Sequence, residues 1–295
     1  MNNQWRMGRK LKLNNKVPVI MLCISVLGFL CFYFFPFVFS LAYALTDNPI
    51  NLAFVGLNNF IDLFHNKYFL LGLKNTIIFM LISIPLNMLL SLVVALIINK
   101  LKIYRNYFSL IFLIPLVIPS ATTAFFWENL FSVDGIANKY LSVLGIEKID
   151  WFQSRYGMFV MIMIFLWKNI GYNMALFVSG LNNIPSSYYE CADVEGANAF
   201  QKFTKITMVY LAPTSFLILI MTFVNSFKIF KEIYIITGEY PHESLYVLQH
   251  YMNNMFLSLN YSKLVSAVYV LTVVIVLFMS VIFKVESKVS QDLRN

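Results

Sequence analysis

The chain has 295 residues, of which 59% are hydrophobic and 12% are charged, and its formal net charge is +8 at pH 7. Soluble domains carry about 25% charged residues, so the composition excludes an ordinary soluble domain and predicts a membrane protein with several spans. The basic residues flank apolar runs, as cytoplasmic flanks do, so we expect contact with membrane lipid and no nucleic-acid partner.

The first predicted element is a long transmembrane helix. Residues 1–16 carry five Lys and Arg residues, and an apolar run follows over residues 17–45. The apolar region of a signal peptide has only about 7–15 residues, so this longer run predicts an anchored helix behind a basic cytoplasmic N-terminus. Pro36 is expected to kink the helix.

Five further apolar runs follow, and each reaches the roughly 20 residues that a bilayer requires. Pro115 and Pro119 fall in the third run overall, where neighbouring helices can satisfy the carbonyls that a proline leaves unpaired. We therefore expect an all-α membrane protein with six transmembrane helices in one domain at residues 17–283 and a cytoplasmic tail at 284–295. The five runs are residues 76–99, 107–130, 156–181, 206–230 and 264–283.

The distribution of Lys and Arg predicts the orientation of the spans. The segments expected inside hold 13 of these residues, and the expected outer loops hold eight. Because cytoplasmic loops carry the excess of Lys and Arg, both termini and the loop at residues 182–205 are predicted to lie in the cytoplasm.

A polar segment at residues 182–213 separates the fourth and fifth runs and is expected to form a helix-turn-helix. Ser187 and Glu190 have the spacing of a capping box, which predicts a helix start near Tyr188. Gly196 is a natural helix stop, because glycine accepts the left-handed conformation. Asn198 can then cap the second helix.

The same segment resembles the Glu-Ala-Ala loop of permease subunits of binding-protein-dependent ABC importers, in which the loop docks into a cleft of the ATPase and transmits its motion. The resemblance implies a cytoplasmic coupling helix between the fourth and fifth spans, at residues 182–205. Cys191 and Glu195 depart from the usual alanine and aspartate, and the alternative is a loop helix without a partner. The matching residues are Glu190-Cys191-Ala192, Glu195-Gly196-Ala197, Phe203, Ile206 and Pro213, and the implied contact residues are Glu190, Ala192, Glu195 and Gly196.

Further fragments resemble the carbohydrate-uptake branch of that family, which is related to the maltose and glycerol-3-phosphate permeases. The resemblance implies import of a sugar or oligosaccharide by alternating access, in a bacterial cell membrane. It also implies the partners: a second homologous permease subunit, two ATPase subunits that bind ATP and Mg, and an extracytoplasmic solute-binding protein. The fragments are residues 55–60, 134–135 with Trp151, 167–168 with 171–174, and 234–238 with Pro241.

No catalytic or metal site is expected in the chain itself. The P-loop pattern Gly-x-x-x-x-Gly-Lys does not occur, so ATP is expected to bind to another polypeptide. His65, His242 and His250 fall in predicted outer loops without zinc-type spacing, and we expect them to be solvated. The chain is therefore predicted to be a permease subunit and not an enzyme.

Polar residues inside the spans are candidates for the substrate pathway. Lys168 lies near the middle of the fourth span, where a charge is costly unless it faces water or a partner. Amides and hydroxyls suit a sugar, since they donate and accept hydrogen bonds without a counter-ion. Alternatively, these side chains hold helices together, and Lys168 pairs with a partner subunit or snorkels. The candidates are Lys168, Asn169, Asn173, Thr222 and Asn225.

Two other functions remain open from the residues alone. A stand-alone ion-coupled secondary transporter would need an acidic or histidine relay within the spans, and Lys168 has no obvious ionisable partner there. A membrane-embedded enzyme would need carboxylates at an interface, where only Glu128 and Asp134 are near. The solute is not determined, although Lys228 and Lys231, just beyond the polar residues at the outer end of the fifth span, would suit an acidic or phosphorylated sugar.

Overall fold

The computed structural model describes residues 16–47, 53–101 and 105–292. The expected basic segment 1–16 lies outside the described residues except for its last position, and so does the end of the tail, residues 293–295. Throughout the described ranges the chain is helical or irregular, apart from one antiparallel bridge between Thr46 and Phe54.

The helices follow one another with short connections. In the first half they are α1 (Lys16–Phe29), which continues through a π-helical segment (Leu30–Phe34) into α2 (Phe35–Ala44), then α3 (Asn58–His65), α4 (Lys67–Lys100), α5 (Arg105–Val117), α6 (Ser120–Phe131) and α7 (Ile136–Val143). In the second half they are α8 (Gly157–Asn182), α9 (Ser186–Val194), α10 (Ala199–Lys202), a π-helical segment (Phe203–Thr207), α11 (Met208–Ser226), a 3₁₀ segment (Phe227–Ile229), α12 (Phe230–Thr237), α13 (Leu248–Leu257) and α14 (Tyr261–Asp292).

Six candidate membrane spans are present when a bent pair of helices is counted as one. Five helical stretches of the described chain are long and apolar enough to cross a membrane, and the sixth joins Tyr107–Val117 to Ser120–Val143 with a bend of 95°. The six expected spans are thus accounted for, with bounds that differ from the apolar runs. The five continuous stretches are Pro18–Ala44, Lys67–Lys100, Gly157–Asn182, Ala199–Thr237 and Tyr261–Lys288.

The third run is not the continuous helix that its hydrophobicity predicted over residues 107–130. α5 ends at Val117, and Pro119 is the N-cap of α6 with ψ 147°, which is outside the helical region. A proline disfavours the helical conformation of the residue before it and supplies no N–H to the preceding turn. The expectation that a continuous helix tolerates both prolines therefore holds only for Pro115, which stays inside α5. Pro119 breaks the span.

The fifth helix is longer than its apolar run. It was expected over residues 206–230, but the helical path begins at Ala199 and ends at Thr237. Gly238 ends it with φ +74°. Lys228 and Lys231, which were counted in an outer loop, consequently lie on this helix, and so does Glu232.

α8 is the centre of the fold. It packs against α4, α5 and α11. Of its 18 most apolar consecutive residues 56% are buried, whereas none of the corresponding residues in Pro18–Ala44 are buried. The contact with α5 depends on Gly171, because a Cβ at this position would lie 1.7 Å from the backbone oxygen of Phe112. One apolar cluster surrounds Phe165 in the N-terminal half of α8, and another surrounds Phe177 toward its C-terminal end.

The expectation that all three histidines are solvated is wrong for His250. His65 is exposed and His242 is half-buried, but His250 is fully buried in α13. Its Nδ1 accepts a hydrogen bond from the backbone N–H of Val247 at 3.2 Å. Burial lowers the pKa of His250 to about 4, because the charged form loses its hydration there.

The buried His250 is expected to make the protein less stable in acid. Its pKa is about 4 in the folded protein, whereas the pKa of an ordinary histidine is 6.5, so the folded state favours the neutral ring. The stability is complete above about pH 6.5 and declines toward pH 4, by up to about 3 kcal/mol. Thermal unfolding in detergent at pH 7.5 and pH 4.5 measures this decline.

The control is His250→Asn, whose side-chain oxygen can take the place of Nδ1 and does not titrate in this range. The variant should lose less stability than the wild type between the two pH values. An equal loss in both proteins would contradict the assignment to His250 and point to carboxylates instead.

Candidate functional site

The first candidate site is the polar loop between the two long helices α8 and α11. Its first helix, α9, begins at Ser186, with Pro185 as the N-cap and no side-chain cap. The capping box expected from Ser187 and Glu190 is therefore wrong, and the helix starts two residues before Tyr188. Pro185 is preset at φ −61°, and a proline suits a helix start because the first N–H groups have no intrahelical partner.

The turn between α9 and α10 has the geometry expected at Gly196. Its φ is +77°, and its N–H donates to the carbonyl of Asp193 at 3.1 Å, while Ala197 donates to Ala192 at 2.8 Å. These two bonds form a Schellman motif, which satisfies carbonyls at the helix end. Asn198 then caps α10, with reciprocal bonds to Gln201.

Two kinds of side-chain contact join this loop to the long helices, and one further contact holds its two short helices together. Tyr189 in α9 is 2.9 Å from the hydroxyl of Thr207, and Ile184 and Tyr189 belong to the apolar cluster around the C-terminal end of α8. Lys202 also bonds to Asp193 at 2.5 Å, which links α10 to α9. The loop therefore packs against the end of α8 and against the segment that leads into α11.

The outer face of the loop offers charges and apolar side chains. Glu190, Glu195 and Gly196 are exposed, and Ala192 is half-buried, so the four implied contact residues lie together on this segment. Ala192, Glu195 and Gly196 also line one groove. Sequence reasoning missed Val194 and Phe200, which are 89% and 74% exposed; apolar residues at the tips of a polar helical segment were the available signal.

The second candidate site is a cavity of about 230 Å³ between α6, α8 and the helical path through α11 and α12. Three of the five predicted pathway residues line it: Lys168, Asn169 and Asn225. The remaining lining residues are Leu116, Ser120, Phe165, Lys228, Ile229, Lys231 and Glu232.

An ion pair lies in the wall of this cavity. Lys168 is bonded to Glu232, and the hydroxyl of Ser120 donates to the same carboxylate oxygen at 2.8 Å. The side chain of Glu232 is 2% exposed and that of Lys168 is 20% exposed. The expectation that Lys168 has no ionisable partner in the spans is therefore wrong, because the fifth helix continues past its apolar run and carries Glu232.

The polar residues around the ion pair differ in their partners. Asn225 accepts a hydrogen bond from the ammonium group of Lys228 at 2.8 Å. Asn169 donates to the backbone of Phe165 at 2.9 Å within its own helix. Both amides retain hydrogen-bonding capacity toward the cavity, since an amide has two donors and an acceptor with two lone pairs.

The other two predicted pathway residues, Asn173 and Thr222, are fully buried away from the cavity. Asn173 donates to Asn87 at 2.5 Å and to Thr222 at 2.7 Å. These bonds connect α8 to α4 and α11. Their geometry favours the alternative role, in which polar side chains hold membrane helices together.

Comparison with protein families identifies one match, which covers both sites. The family of binding-protein-dependent transport system inner membrane components matches residues 87–291. This range contains the loop around Gly196, the Lys168–Glu232 pair and the buried amides of α4, α8 and α11.

Similar proteins occur in several bacteria. The probable ABC transporter permease protein YesP of Bacillus subtilis is 33% identical over 294 residues, which are 95% of this chain and 93% of that protein. The arabinooligosaccharides transport system permease protein AraP of Bacillus subtilis is 28% identical over 90% of this chain and 86% of its own length. The lactose transport system permease protein LacF of Rhizobium radiobacter is 29% identical over 84% and 87%.

Two solved structures have the same fold. A bacterial ABC transporter involved in the import of the acidic polysaccharide alginate contains a chain with a TM-score of 0.76 and 22% identity, over 95% of this chain and 96% of that one. The bacterial alginate ABC transporter in complex with an alginate pentasaccharide-bound periplasmic protein gives a TM-score of 0.77 and 22% identity, over 95% of each chain.

Proposed function

The chain belongs to the family of binding-protein-dependent transport system inner membrane components, and from this premise we propose that it is the translocation subunit of an ATP-driven importer of a sugar or oligosaccharide. The relatives named for arabinooligosaccharides and lactose support the saccharide. The observation that carries the proposal is the loop between α8 and α11, which is exposed at its tip, packs at its base against α8 and bonds through Tyr189 to Thr207 just before α11.

The loop is proposed to be the coupling element. ATP-driven closure of a pair of ATPase subunits would move α9, and the contacts of Ile184 and Tyr189 would pass the motion to α8 and α11. The bond from Lys202 to Asp193 would keep α10 moving with α9. Glu190 and Glu195 offer charge to a basic cleft. Val194 and Phe200 supply apolar area at the same tip, which gives the contact affinity beyond charge.

The transport path is proposed to pass the cavity beside Lys168. The cavity lies between the bent pair and two long helices, so a relative tilt of α8 and α11 would change its width. Asn169 and Asn225 would bind sugar hydroxyls. Asn173 and Thr222 would act indirectly, because their bonds hold α4, α8 and α11 in register while the helices tilt.

The assembly is proposed to contain two permease subunits, two ATPases and an extracytoplasmic binding protein. ATP and Mg would bind to the ATPases. The chain would cross a bacterial cell membrane several times. The N-terminal end of α1 and the C-terminal end of α14 would both lie on the cytoplasmic side, since six spans return the chain to its starting side. The apolar faces of Pro18–Ala44, which are exposed, would contact lipid or the second permease subunit.

The test is purification of the tagged chain in mild detergent, identification of what co-purifies by mass spectrometry, and ATP-dependent uptake after reconstitution. An ATPase, a second six-span subunit and ATP-dependent saccharide uptake are the expected results. Transport by the chain alone, without ATP, would overturn the proposal in favour of a secondary transporter, for which the Lys168–Glu232 pair would be the ion-coupling candidate.

A further inference from the structure

The cavity beside Lys168 has more positive than negative groups. It is lined by three lysines and one glutamate. The glutamate, Glu232, is already bonded to Lys168 and to the hydroxyl of Ser120. Lys228 and Lys231 therefore remain without a counter-ion: neither lies within 4 Å of a carboxylate in the part of the chain that the structure describes.

These two lysines lie within a membrane helix, where an unpaired charge needs water or a partner. They lie nine and six residues before the end of α12 at Thr237, or about 14 Å and 9 Å along the helix axis. Both residues are exposed and line the cavity. Charged side chains at membrane depth almost always face a water-filled space or a partner, so this face is not expected to lie against lipid.

We infer that this cavity binds a saccharide through an anionic group, a carboxylate or a phosphate ester, held by Lys228 and Lys231. The inference rests on the proposed function and names the chemical class of its cargo. Residues three apart on a helix are neighbours, so the two ammonium groups can bind one anionic group together.

The surrounding side chains fit such a ligand. Asn225 holds the ammonium group of Lys228 at 2.8 Å beside the cavity, and with Asn169 it offers amides to sugar hydroxyls. Glu232 does not compete, because Lys168 and Ser120 occupy it and it is 2% exposed. A neutral sugar would leave both lysines without a counter-ion, whereas an anionic one supplies the missing charge.

The test measures binding to the co-purified transporter in nanodiscs of zwitterionic lipid, without the binding protein. The probes are trigalacturonate, maltotriose and maltotriose 6-phosphate, which separate a carboxylate from a phosphate and from a neutral sugar of equal length. An anionic probe should bind at least about tenfold more tightly than maltotriose, as expected for charged hydrogen bonds, and salt should weaken it.

The decisive variant is Lys228→Gln/Lys231→Gln, which should lower the affinity for the anionic probe about tenfold and leave maltotriose unaffected. The matched control is Lys139→Gln/Lys148→Gln, which removes two charges from exposed positions near α7 and should change neither affinity. Variants that still hydrolyse ATP and retain their partners have folded.

The outcomes separate the two levels of inference. Equal or tighter binding of maltotriose, or no effect of the Lys228 and Lys231 substitutions, overturns the anionic cargo and leaves the saccharide importer intact. Absence of binding of all three probes to a complex that hydrolyses ATP also overturns it. Failure to recover any ATPase with the chain contradicts the proposed function instead.

Discussion

Replacement of Gly196 by proline is expected to abolish ATP-driven uptake while the protein remains inserted in the membrane. Gly196 has φ +77° and donates its N–H to Asp193. Proline is fixed near φ −65° and has no N–H, so both the turn and the bond are lost. We expect uptake to fall to background, because proline can adopt neither the positive φ nor the hydrogen bond on which this turn depends.

A graded series distinguishes strain in the turn from other causes. A Cβ at Gly196 would meet nothing within 4 Å. Gly196→Ala should therefore destabilise the turn only through the cost of the left-handed backbone conformation, which is about 1–2 kcal/mol. Gly196→Asn should come closest to wild type, since asparagine visits the left-handed region more readily. Uptake in reconstituted vesicles measures the loss of transport, and co-purification of the ATPase measures the loss of docking.

The chain contains a matched control on a different loop. α7 ends at Val143, and Gly145 two residues later has φ +74° and the same pair of bonds, from Gly145 to Ser142 and from Ile146 to Leu141. Its Cβ would also meet nothing within 4 Å. Gly145→Pro should leave ATPase binding intact; if it impairs binding as strongly as Gly196→Pro does, the coupling role of the Gly196 turn is refuted.

Replacement of Lys168 by methionine is expected to be among the most destabilising single changes in the membrane helices. It leaves Glu232 with 2% exposure and only the hydroxyl of Ser120 as a partner. Removal of one partner from a buried ion pair typically costs about 3–5 kcal/mol. Thermal unfolding in detergent and the yield of assembled transporter measure the loss.

Substitution of the other member of the pair, Glu232→Gln, should destabilise the protein less. Lys168 is 20% exposed and borders the cavity, so its charge can be hydrated, and glutamine can still accept a bond from Ser120. The double variant Lys168→Met/Glu232→Met should recover much of the stability, because apolar replacement of a whole buried pair is often neutral. Additive losses in the double variant would contradict a direct interaction between the two residues.

The local features of the sequence predicted much of the fold. Six apolar runs predicted six spans, since the length of a hydrophobic run is set by the thickness of the bilayer. The stop at Gly196 and the cap at Asn198 were confirmed, because each depends on a single residue and its nearest neighbours. The capping box at Ser187 and Glu190 was wrong, although it too is a local pattern, because Pro185 begins the helix earlier.

The candidate cavity was predictable only in part. Polar side chains within apolar runs identified Lys168, Asn169 and Asn225, and all three line it. Sequence spacing could not separate them from Asn173 and Thr222, which have the same chemistry. The difference is which helix each side chain faces, and this depends on the packing of α8 against α4 and α11.

The sequence by itself determined the membrane class of this protein, the number of its spans and the turn at the proposed coupling loop. Each of these follows from hydrophobicity or backbone preference over at most about 20 neighbouring residues. The tertiary structure decided the bend at Pro119, the close approach at Gly171 and the pairing of Lys168 with Glu232, 64 positions along the chain. Those features depend on the relative positions of helices distant in sequence, which no local pattern specifies.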